Sequence, residues 1–457
     1  MKKVRRFFAL LLSIVLLLSF ASCKKSDNNT DQAPLSAGEL WNRIDQTMSA
    51  LESMEMTSTT ELTYYDGENC YQRTVDRYLL TAKDAHYTQC RDTTLCPEID
   101  YRQSYWTMEA YYEGVAYTAV NSGAYEQKLC TPMTHEEYDY TPSTSLAEDF
   151  KIVDCAHSEF SQGEDGIWNL RFYGYGRPVI DSALESLGLP ELVPSTAVTD
   201  MEVSLSASAE YYVQKMQITL LFAESANKPS FSVTAVYKGF NTTTFETAKL
   251  DPQEYTSVAD IRILTGLTEA LQQRQNADAG KFTLEMVSTY DFQGQSSVSN
   301  ETDTVEYACA DSGYTYAITS DMDGALYNIQ YQGGIQTVTT EAESYTSEKT
   351  DAQAKAYIDS LIDSARYNSA AVTDVQIGED GSYVLTCEAL DIREYAAEYE
   401  TEQLKLTDAS QEITVSFRGG MLGEIKSVII LRGTYLDKPM TVTIDTLVAF
   451  VETQAGT

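Results

Sequence analysis

Apolar and polar positions along this chain follow two periods, after an opening block that follows neither. Lys2, Lys3, Arg5 and Arg6 lead into an apolar stretch of 14 residues, Phe7 to Phe20, closed by Ala21 and Ser22. That stretch is too short to span a bilayer core of about 30 Å, which takes about 20 helical residues. Its order of positive, apolar and small residues is that of an export signal peptide, assigned to residues 1–22. Residues 23–36 follow as a polar segment rich in Asn, Asp and Ser, expected to be a flexible tether. A helical period then begins: Leu40, Trp41, Ile44, Met48 and Leu51 fall on one face, with Ser36 and Glu39 at capping-box positions. Ile261, Leu264, Leu267 and Leu271 repeat that stripe later in the chain. Elsewhere the period is two, as in Met201–Phe222 and Phe282–Phe292, which predicts antiparallel strands with one buried face. DG, GG and EDG turns between such runs read as hairpins. Shorter helices are expected at Val179–Leu187, stopped by Gly188-Leu189-Pro190, and at Ala352–Tyr367 and Asp391–Glu400.

The pattern is written twice. Gly163-Glu164-Asp165-Gly166 recurs as Gly378-Glu379-Asp380-Gly381, and Tyr111-Tyr112-Glu113-Gly114 as Gln330-Tyr331-Gln332-Gly333. Gly67 pairs with Gly294, and Lys228-Pro229 with Lys438-Pro439. The separations fall steadily from 227 through 219 and 215 to 210, as loop deletions in a second copy would produce. Two units are therefore expected, 37–250 and 257–457, joined by a short polar connector at Glu246–Thr256.

Charge narrows the function. The chain carries −36, and about −40 once the signal peptide's four cations are removed. Such a surface repels nucleic-acid phosphates and anionic headgroups, which excludes a nucleic-acid partner. Tyr outnumbers Phe by 32 to 14, which suits sheets with one wet face. Beyond Cys23 there are seven cysteines, an odd number without zinc-site spacing. Disulfides are permitted outside the membrane, and the five cysteines of the first half make one expected there, with its pairing open.

Chemistry is sought in vain. His-Glu-x-x-His, Gly-x-Ser-x-Gly and the P-loop are absent. His86, His135 and His157 lack ligand spacing and read as ordinary strand or loop residues. Gly174-Tyr175-Gly176 reads as a bend before Pro178, and Asp321-Met322-Asp323-Gly324 as a hairpin turn that falls short of a calcium loop. No metal or cofactor is called for. With 68 acidic residues, paired carboxylates for hydrolysis carry no signal of their own.

Two resemblances follow. Phe20-Ala21-Ser22-Cys23 resembles the lipobox of bacterial lipoproteins, which implies cleavage before Cys23 and its acylation. Two acyl chains suffice for stable anchoring on the extracytoplasmic face of a membrane. The order of helix, strands, a Tyr-Tyr-Glu-Gly-Val-Ala-Tyr hairpin, helices and further strands is similar to lipoproteins of the LolA/LppX-like superfamily, here in tandem. That resemblance implies an α+β fold of two curved antiparallel β half-barrels, each with helices packed on its concave face over an apolar cavity. Cavity-bordering residues would then be Leu40, Trp41, Ile44, Met48, Leu51, Ile261, Leu264, Leu267 and Leu271. The expected function is a membrane-anchored lipoprotein binding a lipid or other hydrophobic ligand. The alternative is a cell-envelope interaction or sensing module that meets protein or glycan through a Tyr-rich sheet surface, without a ligand cavity.

Overall fold

Long runs of Thr, Tyr, Val and Ile, punctuated by two-residue turns, favour extended hairpins over helices, and hairpins dominate the chain. The computed structural model describes residues 36–82, 85–138, 155–186, 195–225, 227–245, 250–310, 313–399, 401 and 403–451. The signal peptide, Cys23 and the tether as far as residue 35 lie outside the described residues, as does the stop Gly188-Leu189-Pro190.

The first unit opens with six strands in a meander. They are β1 (Met54–Asp66), β2 (Asn69–Ala82), β3 (Ala85–Cys96), β4 (Tyr101–Tyr112), β5 (Val115–Asn121) and β6 (Glu126–Pro132). Five more follow: β7 (Cys155–Gln162), β8 (Trp168–Tyr175), β9 (Val198–Ala207), β10 (Val213–Phe222) and β11 (Ser230–Lys238). Antiparallel pairing of β1 with β11 joins the two meanders, and β12 (Thr256–Ser257) adds to β6 in parallel, giving a twelve-stranded sheet.

The second unit repeats this order. Its six-strand meander comprises β13 (Ala279–Phe292), β14 (Gln295–Ala310), β15 (Gly313–Met322), β16 (Ala325–Gln332), β17 (Ile335–Thr339) and β18 (Ser344–Glu348). Its five-strand meander comprises β19 (Asp374–Ile377), β20 (Tyr383–Cys387), β21 (Leu404–Arg418), β22 (Met421–Tyr435) and β23 (Lys438–Phe450). Pairing of β13 with β23 completes an eleven-stranded sheet.

This overturns the expected fold class. The chain is mostly β, with two large open sheets, neither of them a closed barrel, and helices are few. It is not an α+β protein of half-barrels with helices packed on a concave face. The physical reason is length: the period-two runs extend over hairpin arms of up to 16 residues, whereas the longest helix described has 14. The described helices are α1 (Ala37–Ser49), α2 (His135–Tyr138), α3 (Arg177–Ser186), α4 (Arg262–Gln275), α5 (Asp351–Ile362) and α6 (Arg393–Tyr399). Ser36 caps α1, its side chain accepting from the Glu39 amide at 3.1 Å. The segment expected to be helical to Tyr367 stops earlier, because α5 ends at Ile362 and passes into a short 3-10 turn.

Hydrogen bonds repeat between the units in detail. Gly163 donates to Ile167 O at 2.8 Å, and Gly378 to Ser382 O at 2.8 Å. Tyr111 and Tyr331 each donate a phenol to the carbonyl that precedes a capping threonine, Met133 O and Lys349 O. Thr134 with Glu137 and Thr350 with Gln353 then form reciprocal capping boxes. These bonds place Tyr111 opposite Tyr331, so the sequence alignment through Gln330 was one residue out of register. The separation also does not fall steadily. Hairpins lengthen now in one unit and now in the other, since Val75 and Asp92 stand on the rung that Glu301 and Met322 occupy.

The units share a core. Tyr111, Ala116, Tyr125, Leu129 and Met133 of the first join one buried cluster with Ile261, Leu264 and Leu267 of the second. Gln127 Nε2 donates to Ser369 O and Val372 O at 2.7 and 2.6 Å. Thr131 Oγ1 donates to Val258 O and accepts from the Ile261 amide. The connector is thus no free linker: Tyr255 packs edge-on against Tyr117 with ring centroids 5.1 Å apart.

Candidate functional site

The residues expected to border a cavity are core residues. Leu40, Trp41, Ile44 and Met48 of α1 are buried in one cluster with strand residues such as Leu62, Phe172 and Ile218. Trp41 meets the Phe172 ring edge-on at 6.3 Å. Leu51 is half-buried at the edge of that cluster. Ile261, Leu264, Leu267 and Leu271 are buried in the other cluster, which spans the two units. The structure therefore divides the nine between two cores, and none of them lines any of the cavities described below.

The largest of those cavities lies between the units. It has a volume of about 1260 Å³ and is lined by Arg91 and Thr93, by 101–106 of β4, by 120–128 of the β5–β6 hairpin, and by 368–370 and residues 391, 393 and 394 of the second unit. Successive residues of a strand face opposite ways. Tyr101, Gln103 and Tyr105 therefore point to one side of the sheet, and Arg102, Ser104 and Trp106 to the other. The arm of β4 stands in the cleft as a wall. Tyr101 and Tyr105 are 39 and 38 % exposed, high values for such large rings.

Polar bonds hold the mouth of the cleft. The Tyr125 phenol accepts from the Asp391 amide at 3.0 Å and donates to Glu394 Oε1 at 3.4 Å. Burial, opposed in part by the Asp391 amide, raises the pKa of that phenol. Arg393 makes a forked bond to Asp391 at 2.8 and 2.5 Å, and this holds the Asp391 carboxyl below its ordinary pKa. Arg91, Arg102 and Lys128 make no ion pair among the described residues. The site thus offers exposed aromatic faces, hydroxyl and amide groups, and unpaired cations.

Smaller concavities lie on the sheet surfaces, one of about 510 Å³ over β7–β10 and one of about 680 Å³ over β13–β16. His86 is buried, and burial pulls its imidazole down to about 4. The disulfide expected in the first half is absent: all seven described cysteines are free. Asp323-Gly324 is the β15–β16 turn, in which Asp323 accepts from the Asn300 amide at 2.8 Å. Among the described residues no group of three or more His, Cys, Asp or Glu is placed to hold a metal ion.

None of the cleft residues was singled out from the sequence. A signal was available in principle, because the segment YRQS at 101–104, just before Tyr105 and Trp106, lies in a stretch without a counterpart in the second unit. Asp92 and Tyr105 face each other across β3–β4 where Met322 and Ala325 face each other across β15–β16. Beyond that rung the second unit turns at Asp323-Gly324, while the first continues through residues 93–104.

No family model matches the chain, and no curated protein does. Among solved structures, kievitone hydratase from Nectria haematococca aligns over 93 % of this chain and 96 % of its own at 10 % identity, with a TM-score of 0.14. A protein of unknown function from Nostoc punctiforme aligns over 90 % and 99 % at 8 % identity, with a TM-score of 0.14. OccK3 of Pseudomonas aeruginosa aligns over 90 % and 99 % at 9 % identity, with a TM-score of 0.12. Such scores carry no argument about this chain's fold or activity.

Proposed function

We propose that this chain is a lipid-anchored extracytoplasmic binding module that holds an extended polar ligand, of saccharide type, between its two units. The observation that carries this reading is the cleft itself, whose β4 wall presents Tyr101, Gln103 and Tyr105 on one side and Ser104 and Trp106, with Asn121, on the other. Aromatic faces supply contact area at little entropic cost, and amide and hydroxyl groups match a polyhydroxylated chain. A lipid carried between helix and sheet is the weaker reading, because α1 and α4 bury their apolar stripes in packed cores. Repeated capping boxes and turn bonds support treating the units as tandem copies. Acylation of Cys23 would leave the module tethered by a short polar segment, able to sample polymer close to the membrane.

Two measurements test this. In cells fed labelled palmitate, label should enter the wild type and be lost in Cys23→Ser, which should leave the membrane fraction. In affinity electrophoresis through gels cast with neutral or acidic polysaccharides, a chain starting at residue 24 should be retarded. Trp106→Ala should remove the retardation, and Leu326→Ala, on the matching rung of the second unit, should not. Unretarded migration in every gel, together with a solvent-strippable lipid adduct in native mass spectrometry, would return the carrier reading.

A further inference from the structure

The pairing of arginines sets one region of this acidic protein apart. From Arg171 onward every arginine is engaged: Arg171 with Glu202, Arg177 with Asp181, Arg262 with Asp260, Arg366 with Glu398, Arg393 with Asp391, Arg418 with Glu424 and Arg432 with Asp408. Arg274 donates to Leu422 O. Arg77, Arg91 and Arg102 make no such contact among the described residues, and they lie on the consecutive strands β2, β3 and β4.

Register puts two of the three on one face. Arg91 stands directly opposite Trp106, and Arg102 lies four residues before Trp106 on the same strand. Asn121 continues the rung from Trp106, and Lys128, opposite Ala119, lies one rung along on that face. Asp76 and Glu126 stand at either end of the Arg91–Trp106–Asn121 row, yet neither forms an ion pair with these cations. Asp76 instead accepts from the Thr59 hydroxyl at 2.7 Å. The second unit is an internal control. Its matching rung pairs Asp321 with Leu326, and its hairpin ends two residues later in Asp323-Gly324.

Resting on the binding reading above, we infer that the ligand is an acidic saccharide, and that Arg91, Arg102 and Lys128 beside Trp106 receive its anionic groups. A guanidinium offers a planar fork that matches a carboxylate or phosphate at two points. Unpaired guanidinium groups in a chain of net charge −36 form a local well of positive potential. Salt screens that well beyond about 8 Å at physiological ionic strength, so it acts at contact range. A densely charged polymer would meet the repulsion of the surrounding acidic surface. A sugar chain with spaced charges, from uronate or from phosphodiester, can place one anion in the well and stack a ring on Trp106.

Isothermal titration of the chain from residue 24 with three probes tests this: a galacturonate hexamer, the same hexamer fully methyl-esterified, and a phosphodiester-linked hexose oligomer. At least one anionic probe should bind ten-fold or more tightly than the neutral ester, and more weakly as NaCl is raised. Arg91→Gln combined with Arg102→Gln should erase that preference with the melting temperature unchanged. Preference for the phosphate probe alone would support the inference and fix the anion as phosphodiester. Equal binding of acid and ester that depends on Trp106 but not on the arginines would overturn the charge inference and leave the binding reading standing. No binding of any probe, with no retardation by any polysaccharide, would overturn both.

Discussion

The two units share one strand order and treat matching positions differently. Leu129 of β6 and Tyr345 of β18 occupy the same rung, counted outward from Tyr111 and Tyr331. Leu129 is 1 % exposed, because the second unit lies over it, whereas Tyr345 is 57 % exposed at a free sheet edge. One rung nearer the centre, His86 faces Tyr111 in the first unit where Tyr316 faces Tyr331 in the second. A repeated backbone therefore fixes where a side chain points, and its neighbours decide what that position is for. The first unit has spent its outer strands on an interface and a cleft. The second keeps a short turn and an acidic rung in the same place.

Removing the covered side chain should have the largest effect. Leu129→Ala should cost about 2–5 kcal/mol, as for a fully buried leucine, and Tyr345→Ala, at an exposed site, within about 0.5 kcal/mol. Urea denaturation of both variants checks this; equal losses would mean that the inter-unit core does not hold in solution.

The histidine rung predicts a difference in pH response. Burial lowers the His86 pKa from 6.5 to about 4, so the folded state favours neutral imidazole more than the unfolded chain does. The stability this confers is complete above pH 6.5 and is lost as pH falls toward 4. On that basis His86→Tyr, which copies the second unit, should remove about 2–3 kcal/mol of acid sensitivity in that window. Burial pushes the phenol of Tyr316 up to about 12, so the matching rung does not titrate there. Melting temperatures at pH 4.5 and 7.5 decide the matter, and an unchanged pH slope in the variant would refute it.

A smaller effect of opposite sign belongs to the second unit. Asp303 is buried on β14, its Oδ1 has no hydrogen-bond partner, and burial raises its pKa above 3.8. The folded state thus prefers the protonated acid, an advantage present below pH 3.8 and lost as pH rises through the folded pKa. Asp303→Asn should raise stability at pH 7 by about 1–2 kcal/mol, since an unpaired buried charge is removed. The gain should shrink as the pH approaches 4. Arg77, at the corresponding position in the first unit, is exposed, and Arg77→Gln should change nothing measurable in the same melts.

Much of the element list was legible in the sequence, because period and turn chemistry are local. The α1 stripe, its Ser36 cap, α4 and the paired hairpin turns follow from spacings of three, four and two residues. Fold class was misjudged because the helices were weighted by family resemblance, while the strand runs are longer than the helical ones. Register was misjudged by one residue at Tyr111, because Gly-containing turns look alike whichever of their two positions the glycine takes. The hydrogen bonds from Tyr111 and Tyr331 to the carbonyls before the capping threonines settle the alignment, and those partners lie 22 and 18 residues away.

The site was not legible, for the same reason. Trp106 and Arg91 are ordinary strand residues in one dimension, and Tyr125 an ordinary turn residue. Tyr125 meets Asp391, and Gln127 meets Ser369, only when the second unit packs on β6, and Arg91 and Trp106 then line the cleft so formed. By itself the sequence determined the acidic balance and the strand-rich pattern, and it raised the expectation of an export signal with acylation at Cys23 and of a duplication. These rest on composition and on contacts within one or two turns of chain. Tertiary structure decided which apolar residues became core, that two open sheets share an interface, and that one extended hairpin forms the wall of a cleft. Those outcomes depend on pairings between residues as far apart as Tyr125 and Asp391, and the free energy of such contacts exists only once the chain has closed them.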